Sequence, residues 1–263
     1  MSKRGMQTYT KEFYEKVMGN SLASAREIVP LILRLIQPGR VIDVGCGRGD
    51  WLSVFSESGV GHVLGVDGDW VDRNTLFIPP ECFLARDLAE PLRLNAGFDL
   101  ALSLEVAEHF PAEFATAFVG SLAALASVIV FSAAIPFQGG TNHLNEQWPD
   151  YWAGLFRAQG FVTIDCLRRH IWQNENVSWW YAQNLLIFAR LEYLETNSVL
   201  KQEYENNLEN PLSVVHPRVF LEKVSQTTIT SAARNTLSGL KQRVKNTTTG
   251  LIGSDGLDRM ARR

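Results

Sequence analysis

The segment Val41-Ile-Asp-Val-Gly-Cys-Gly-Arg-Gly-Asp50 could bind a ligand through its backbone. An apolar run meets Gly45, Gly47 and Gly49, where the chain can turn sharply and offer main-chain N–H groups. The spacing is GxGxG. It departs from the dinucleotide fingerprint GxGxxG, because Asp50 stands at that pattern's last glycine. Asp43 precedes the loop, where a carboxylate repels pyrophosphate but can hold an ammonium group. Asp67 ends the next apolar run, where a carboxylate can accept hydrogen bonds from two ribose hydroxyls. A ligand with a ribose, a cationic amino-acid part and no phosphate fits this set.

A second group is Glu105, Glu108 and His109, at i, i+3 and i+4. On a helical turn they would share one face. Joined by His143, they could bind a divalent metal, which lowers the pKa of a coordinated hydroxyl. The blander reading has Glu105 touching only a ligand, Glu108 facing solvent and His109 satisfying loop backbone. His109 and His143 are also candidate general bases, since an unperturbed imidazole titrates near ~6.5. With Glu105 they form the candidate catalytic set. The third group is aromatic. Trp148, Trp152, Trp172, Trp179 and Trp180 fall within one short stretch, and Tyr151 and Tyr181 join them. Core packing is one reading, because tryptophan is mostly buried whatever its role. The other is an apolar platform for a ring-shaped acceptor at Trp148, Trp152, Trp172 and Trp179. The amides of His170-Ile-Trp-Gln-Asn-Glu-Asn-Val-Ser-Trp-Trp180 would suit a polyhydroxylated ligand.

Alternating elements must position these groups. The pattern predicts a helix near 10–37, with Ser21 as N-cap, ending at Pro38-Gly39. Strands are expected at 40–44, 62–66, 82–86, 98–104, 127–133, 161–169 and 183–190. Helices are expected at about 50–58, 111–125 and 147–159. Strands separated by helical connections predict an α/β fold with a mostly parallel sheet and helices on both faces.

The chain has 263 residues, 46% hydrophobic and 20% charged, with a net charge of -3. These values exclude fibrous and disordered classes, and nucleic acid is not expected as a partner. Three cysteines without a CxxC pair argue against a disulfide framework or a zinc ribbon. The start of the sequence lacks the apolar core of a signal peptide, so a cytoplasmic location is expected. Residues 114–145 are uncharged, but Gly120, Pro136, Gly139 and Gly140 break the run too often for a membrane helix of about 20 residues. Composition shifts near residue 191, so a catalytic domain over 1–190 and a helical, basic, partly flexible extension over 191–263 are expected. Residues 225–263 hold Arg234, Lys241, Arg243, Lys245, Arg259, Arg262 and Arg263 against Asp255 and Asp258. Ile229, Ala233, Leu237, Leu240 and Val244 recur there at helical spacing. Such a helix could pack on its own domain, join a second subunit, dock a partner or lie on a membrane surface.

The segments VIDVGCGRG (41–49), VLGVD (63–67), ARDL (85–88) and FDLALSLEVAEHF (98–110) together resemble the class I S-adenosylmethionine-dependent methyltransferases. The resemblance covers roughly residues 20–190. It implies a Rossmann-like, seven-stranded sheet whose last strand is antiparallel. It also implies that Asp43, Gly45 and Gly47 line the methionine and ribose of S-adenosylmethionine. Asp67 would take the ribose hydroxyls and Asp87 the adenine amino group, with Leu88 beside it. Leu104 and Glu105 would lie near the sulfonium, and Arg26 is a candidate for the methionine carboxylate. The ExxEH segment resembles the ubiquinone-pathway O-methyltransferases and the small-RNA 2′-O-methyltransferases, in which a metal takes part. NHLNEQWPDYW and IWQNENVSWWYAQN resemble bacterial methyltransferases of surface-polysaccharide and glycan biosynthesis. The function these resemblances imply is O-methylation of a sugar hydroxyl or a glycan-linked hydroxyl or phosphate. A quinone, phenol or amine acceptor is the alternative. A cofactor-binding scaffold without turnover is the alternative of another class.

Overall fold

The computed structural model describes the backbone of residues 11–225 and the side chains of residues 21–225. The chain divides into two units, 1–216 and 217–263, and of the second only the helical stretch 217–225 is described. The composition change at 191 therefore precedes the division, and residues 191–216 belong to the first unit. The amphipathic stripe at 229–244 lies outside the described residues.

The first unit begins with α1 (Lys11–Ile36), then β1 (Arg40–Val44), α2 (Asp50–Glu57), β2 (His62–Asp67), β3 (Phe83–Ala85) and β4 (Leu100–Leu104). There follow α3 (Ala115–Leu125), β5 (Val128–Ser132), α4 (Pro149–Ala158), β6 (Phe161–Ile164), α5 (Arg168–Ile171) and α6 (Trp179–Asn184). β7 (Leu186–Arg190), α7 (Leu191–Leu194) and α8 (Ser198–Asn207) complete it. The seven strands lie in the order β3-β2-β1-β4-β5-β7-β6. All pairings are parallel except those of β7, which runs antiparallel to both β5 and β6. This is the Rossmann-like sheet expected from the sequence, with its last strand antiparallel.

Side chains alternate across the sheet because the strand period is two. Val41, Leu100, Leu102, Val128 and Val130 face one core with Ile28 and Ile32 of α1 and Leu52 and Phe55 of α2. Ile42, Ala101, Ile129 and Phe131 face the other, with Val119 and Leu122 of α3 and Trp152 and Phe156 of α4. Both faces are covered, so the central strands carry almost no polar residue. In β1 the exceptions are Arg40, exposed at its start, and Asp43, which is buried. Strand order reverses between β1 and β4. A crevice beyond the carboxyl ends of these strands is where open α/β sheets bind ligands.

Three local expectations are corrected. Ser21 lies inside α1 and cannot be its N-cap. The strand expected at 161–169 stops at Ile164, and the one expected at 183–190 begins at Leu186, because α5 and α6 occupy the insertion between them. The turn holding Glu105, Glu108 and His109 is not a regular helix. Glu105 has φ 58, in the left-handed region, and only Ala107–His109 form a single 3-10 turn. The three side chains therefore do not line one helical face.

Candidate active site

The loop after β1 continues the pairing with β2. Gly45 N and Cys46 N donate to Val66 O at 2.8 and 3.2 Å. Gly45 has φ 89, and a Cβ there would stand 2.3 Å from Val106 Cγ2. Only glycine lets this loop lie directly against the chain that leaves β4. Asp67 closes the loop from the β2 side. Its Oδ2 accepts from Gly47 N and its Oδ1 from Gly68 N, both at 2.7 Å. Each oxygen keeps a lone pair for a further donor. Burial raises the Asp67 pKa, and these two N–H groups oppose the rise.

Asp43 is buried, and its Oδ1 has no hydrogen-bond partner. Burial, then the charges of Asp67 and Asp50, push its pKa well up. Asp50, at the start of α2, is pushed up to about 6 by burial, against the pull of Arg48 and a backbone N–H. Among the described residues no Lys, Arg or His forms an ion pair with Asp43, Asp50 or Asp67. A buried carboxylate without a partner is costly. The loop is thus built for a ligand that brings positive charge and N–H or O–H donors. Downstream, exposed Asp87 folds its Oδ1 onto Ala89 N at 3.0 Å, and buried Leu88 packs beside it.

The chain leaving β4 supplies the next group. Leu104 is buried at the strand end. Glu105 Oε2 accepts from Gln138 Nε2 at 2.9 Å and Oε1 from Asn184 Nδ2 at 3.0 Å. Burial raises Glu105 to about 7, while Asn184, Ser132 and Gln138 oppose the shift by hydrogen bonding. Glu108 points elsewhere and is fully buried, not solvent-facing. Neither of its carboxyl oxygens finds a hydrogen bond of normal geometry. Its pKa is pushed well up by burial and then by the Glu105 charge, although the N–H groups of Glu108 and Ala134 are close enough to lower it.

The loop after β5 wraps this turn. Leu144 N and Asn145 N both donate to Glu108 O, at 2.7 and 3.0 Å. That wrap sets the His143 ring edge-on to His109, with centroids 4.9 Å apart. Ligand atoms of Glu108, His109 and His143 lie within 4.8 Å of one another. Burial and the neighbouring His143 lower the His109 pKa, which keeps it neutral near pH 7; a hydrogen bond with the Asn142 backbone opposes this. Glu146 Oε1 lies 2.9 Å from His143 Nδ1 and also accepts from Gly139 N at 2.6 Å. A carboxylate on Nδ1 fixes the tautomer and leaves Nε2 as the acceptor. The ring lies so close over Gly140 that a Cβ there would stand 2.2 Å from Nε2.

Residues 18–180 match the model of a family described as a methyltransferase domain. The chain belongs to this family. It is an S-adenosylmethionine-dependent methyltransferase. Solved structures share the fold at low identity. One is the magnesium protoporphyrin IX methyltransferase of Synechocystis PCC 6803 with bound SAM, at 21% identity and TM-score 0.50, covering 71% of this chain and 86% of that one. Another is an amino pentose methyltransferase from Micromonospora echinaspora with bound SAM, at 15% identity and TM-score 0.50, covering 71% of this chain and all (100%) of that one. DesVI of Streptomyces venezuelae aligns at 14% identity and TM-score 0.50, over 72% of this chain and 100% of that one. No curated protein matches the chain by sequence.

The methyltransferase's loop fits its cofactor on an observation of its own: Asp43 Oδ1 is a buried acceptor that a donor must meet. Of the residues expected at this site, Gly45 bonds β2 at Val66, Gly47 bonds Asp67, Asp43 feels the Asp67 charge from β1, and Leu104 and Glu105 stand at the end of the neighbouring β4. Arg26 is exposed on α1, and no described contact joins it to the loop. Glu105 stands apart from the three-donor cluster, because two amides hold both its oxygens. The aromatic set divides. Trp152 is 2% exposed and packs on Phe131 at 5.3 Å, so it is core and cannot touch an acceptor. Trp148 is exposed at the start of α4, and Trp172 and Trp179 are half-buried on the insertion.

Gln138, Asn184 and Glu146 were not anticipated. For Glu146 a signal existed, since His143 and Glu146 stand at i and i+3 in a loop. Gln138 and Asn184 gave none, because they meet Glu105 from 33 and 79 residues away.

Proposed function

We propose that this methyltransferase carries the methyl group of S-adenosylmethionine to a hydroxyl oxygen, with a sugar or glycan hydroxyl as the acceptor class. The observation that carries the reading is the Glu146–His143 pair standing against His109 and Glu108 where β4 and β5 end. A hydroxyl must lose its proton as it attacks, and the dyad offers a proton acceptor for it. The acceptor oxygen attacks the methyl carbon, the C–S bond breaks, and its electron pair stays on sulfur. The proton goes to His143 Nε2, and Glu146 stabilises the resulting imidazolium. Holding donor and acceptor in line contributes much of the rate in such a transfer.

In place of His143 Nε2 acting as a free base, the same set of Glu108, His109 and His143 would fit a divalent cation. The set is one carboxylate without hydrogen bonds and two imidazoles, one of them oriented by Glu146 through its far nitrogen. When bound, such an ion would lower the pKa of the acceptor hydroxyl. Trp172, Gln173 and Asn174 line one cavity with Arg169 and His170, and an aromatic face beside polar side chains would suit a polyhydroxylated acceptor.

One observation favours a phenol or quinone-derived hydroxyl instead. Phe137 is 85% exposed and Leu144 63% exposed, on the same loop as His143. The test is a panel of sugars, nucleotide sugars and phenols incubated with the enzyme and methyl-labelled cofactor. Methyl ethers on sugar oxygens support the reading, and label confined to phenols moves the acceptor class. Label on nitrogen or carbon alone overturns O-methylation.

A further inference from the structure

The loop that joins β5 to α4 is fastened on its inner side and apolar on its outer side. Glu146 Oε1 holds Gly139 N and His143 Nδ1. Gln138 N donates to Ile135 O at 3.0 Å, Gln147 N to Ala134 O at 3.1 Å and Leu144 N to Glu108 O at 2.7 Å. The side chains of Phe137 and Leu144 nonetheless stand in solvent, and Phe137 does so with φ 67. A phenylalanine there gains nothing from burial, and its backbone lies in the left-handed region that bulky residues avoid. The hydrogen bonds that fasten the loop use none of this side chain.

Two more exposed rings share the edge. β6 runs in the direction of β5, because β7 is antiparallel to both. The helices α3 and α4 therefore each start at the carboxyl edge of the sheet, and exposed Phe114 and Trp148 stand immediately before them. Phe114, Phe137, Leu144 and Trp148 thus belong to segments that leave the same edge as His109 and His143. No residue from Phe114 to Asn145 is charged. Such a rim can enter the headgroup boundary of a bilayer without stripping water from a charge, and tryptophan favours that depth. Glu113 and Asp150, which flank it in sequence, are exposed acids, so the rim itself gives no attraction for anionic lipid. The sequence supplies that attraction elsewhere. Residues 225–263 hold seven basic residues against two acids, and Arg234, Lys241, Arg243 and Lys245 accompany the apolar spacing of Ile229, Ala233, Leu237, Leu240 and Val244. Basic residues beside an apolar stripe are the pattern of a segment that lies on an anionic lipid surface. This charge favours lipid over a protein partner as the occupant of the rim.

We propose that the carboxyl edge of the sheet docks on an anionic lipid bilayer. Phe137, Leu144 and Trp148 enter its headgroup region, and the basic residues of 234–245 add long-range attraction. The edge docks without spanning; no described helix is long and apolar enough to cross a membrane. Docking brings His143 to the lipid surface, and it does not depend on which hydroxyl is methylated.

Co-sedimentation of the full chain with vesicles tests this without an acceptor. The wild type should bind vesicles of phosphatidylcholine and phosphatidylglycerol, and bind pure phosphatidylcholine about tenfold more weakly. Phe137→Asp combined with Leu144→Asp should weaken binding to the mixed vesicles by about tenfold or more. Phe137→Gly should weaken it by about threefold or more while keeping the melting temperature and the affinity for S-adenosylhomocysteine, because glycine suits the left-handed backbone. Lys241→Glu with Arg243→Glu should remove most of the preference for phosphatidylglycerol. A wild type that leaves both vesicles unbound overturns the proposal, and so do Phe137 variants that bind as the wild type does. Self-association that Phe137→Gly abolishes, without vesicle binding, assigns the rim to a second copy of the chain and overturns the lipid reading.

Discussion

At the scale of single residues, each carboxylate here is defined by what it lacks. Asp43 has no partner for Oδ1, Glu108 none for either oxygen, and Glu105 only neutral amides. Asp67 accepts one hydrogen bond on each oxygen, yet retains lone pairs for further donors. Asp67→Ala should weaken cofactor binding by about tenfold to a hundredfold, as expected for losing hydrogen bonds to a charged group. Calorimetry showing wild-type affinity would remove the ribose assignment. Gly140→Ala should leave the fold and cofactor affinity intact while cutting turnover, because the new methyl group displaces the His143 ring. Equal turnover with an unshifted melting temperature would contradict the placement of that ring. Much of this was legible in the sequence, since Asp43 and Asp67 flank a glycine loop at strand ends. Gln138 and Asn184 were not, because an amide gains a role only when folding brings it to a carboxylate.

At the scale of elements, alternation of apolar runs was enough to place all seven strands. Boundaries failed where local geometry departs from a regular period. The ExxEH spacing suggested a helical face, but Glu105 enters the left-handed region and the chain makes only one 3-10 turn. The cluster that results joins Glu108 and His109 to His143 through the wrap of the loop after β5, not through helical spacing. Trp148 and Trp152 were both expected on the acceptor platform. Pro149 starts the helix after Trp148, leaving that ring exposed while Trp152 enters the core. Trp152→Ala should therefore cost about 3–5 kcal/mol of stability, as large core truncations do. Denaturant unfolding checks it, and a specific loss of acceptor affinity without destabilisation would return Trp152 to the binding surface.

At the scale of the whole molecule, the first unit concentrates buried acids at one end of a sheet. Glu105, raised to about 7, and Asp50, raised to about 6, bind protons more tightly folded than unfolded. A carboxyl whose pKa rises on folding favours the native state at low pH and loses that contribution as pH climbs towards its folded pKa. The melting temperature of Glu105→Gln relative to wild type should therefore rise between about pH 5 and 8 in the absence of ligand, since only the wild type pays to ionise Glu105. A flat difference across that range would show that Glu105 is not shifted. No described helix is long and apolar enough to cross a membrane. The basic excess of residues 225–263 belongs to the sequence alone. The most direct test of the central claim is the rate of methyl transfer to the preferred hydroxyl acceptor by His143→Ala, measured beside its cofactor affinity. Turnover about a hundredfold lower with unchanged affinity is the expected result. Wild-type turnover in metal-free, His143-less enzyme would contradict it.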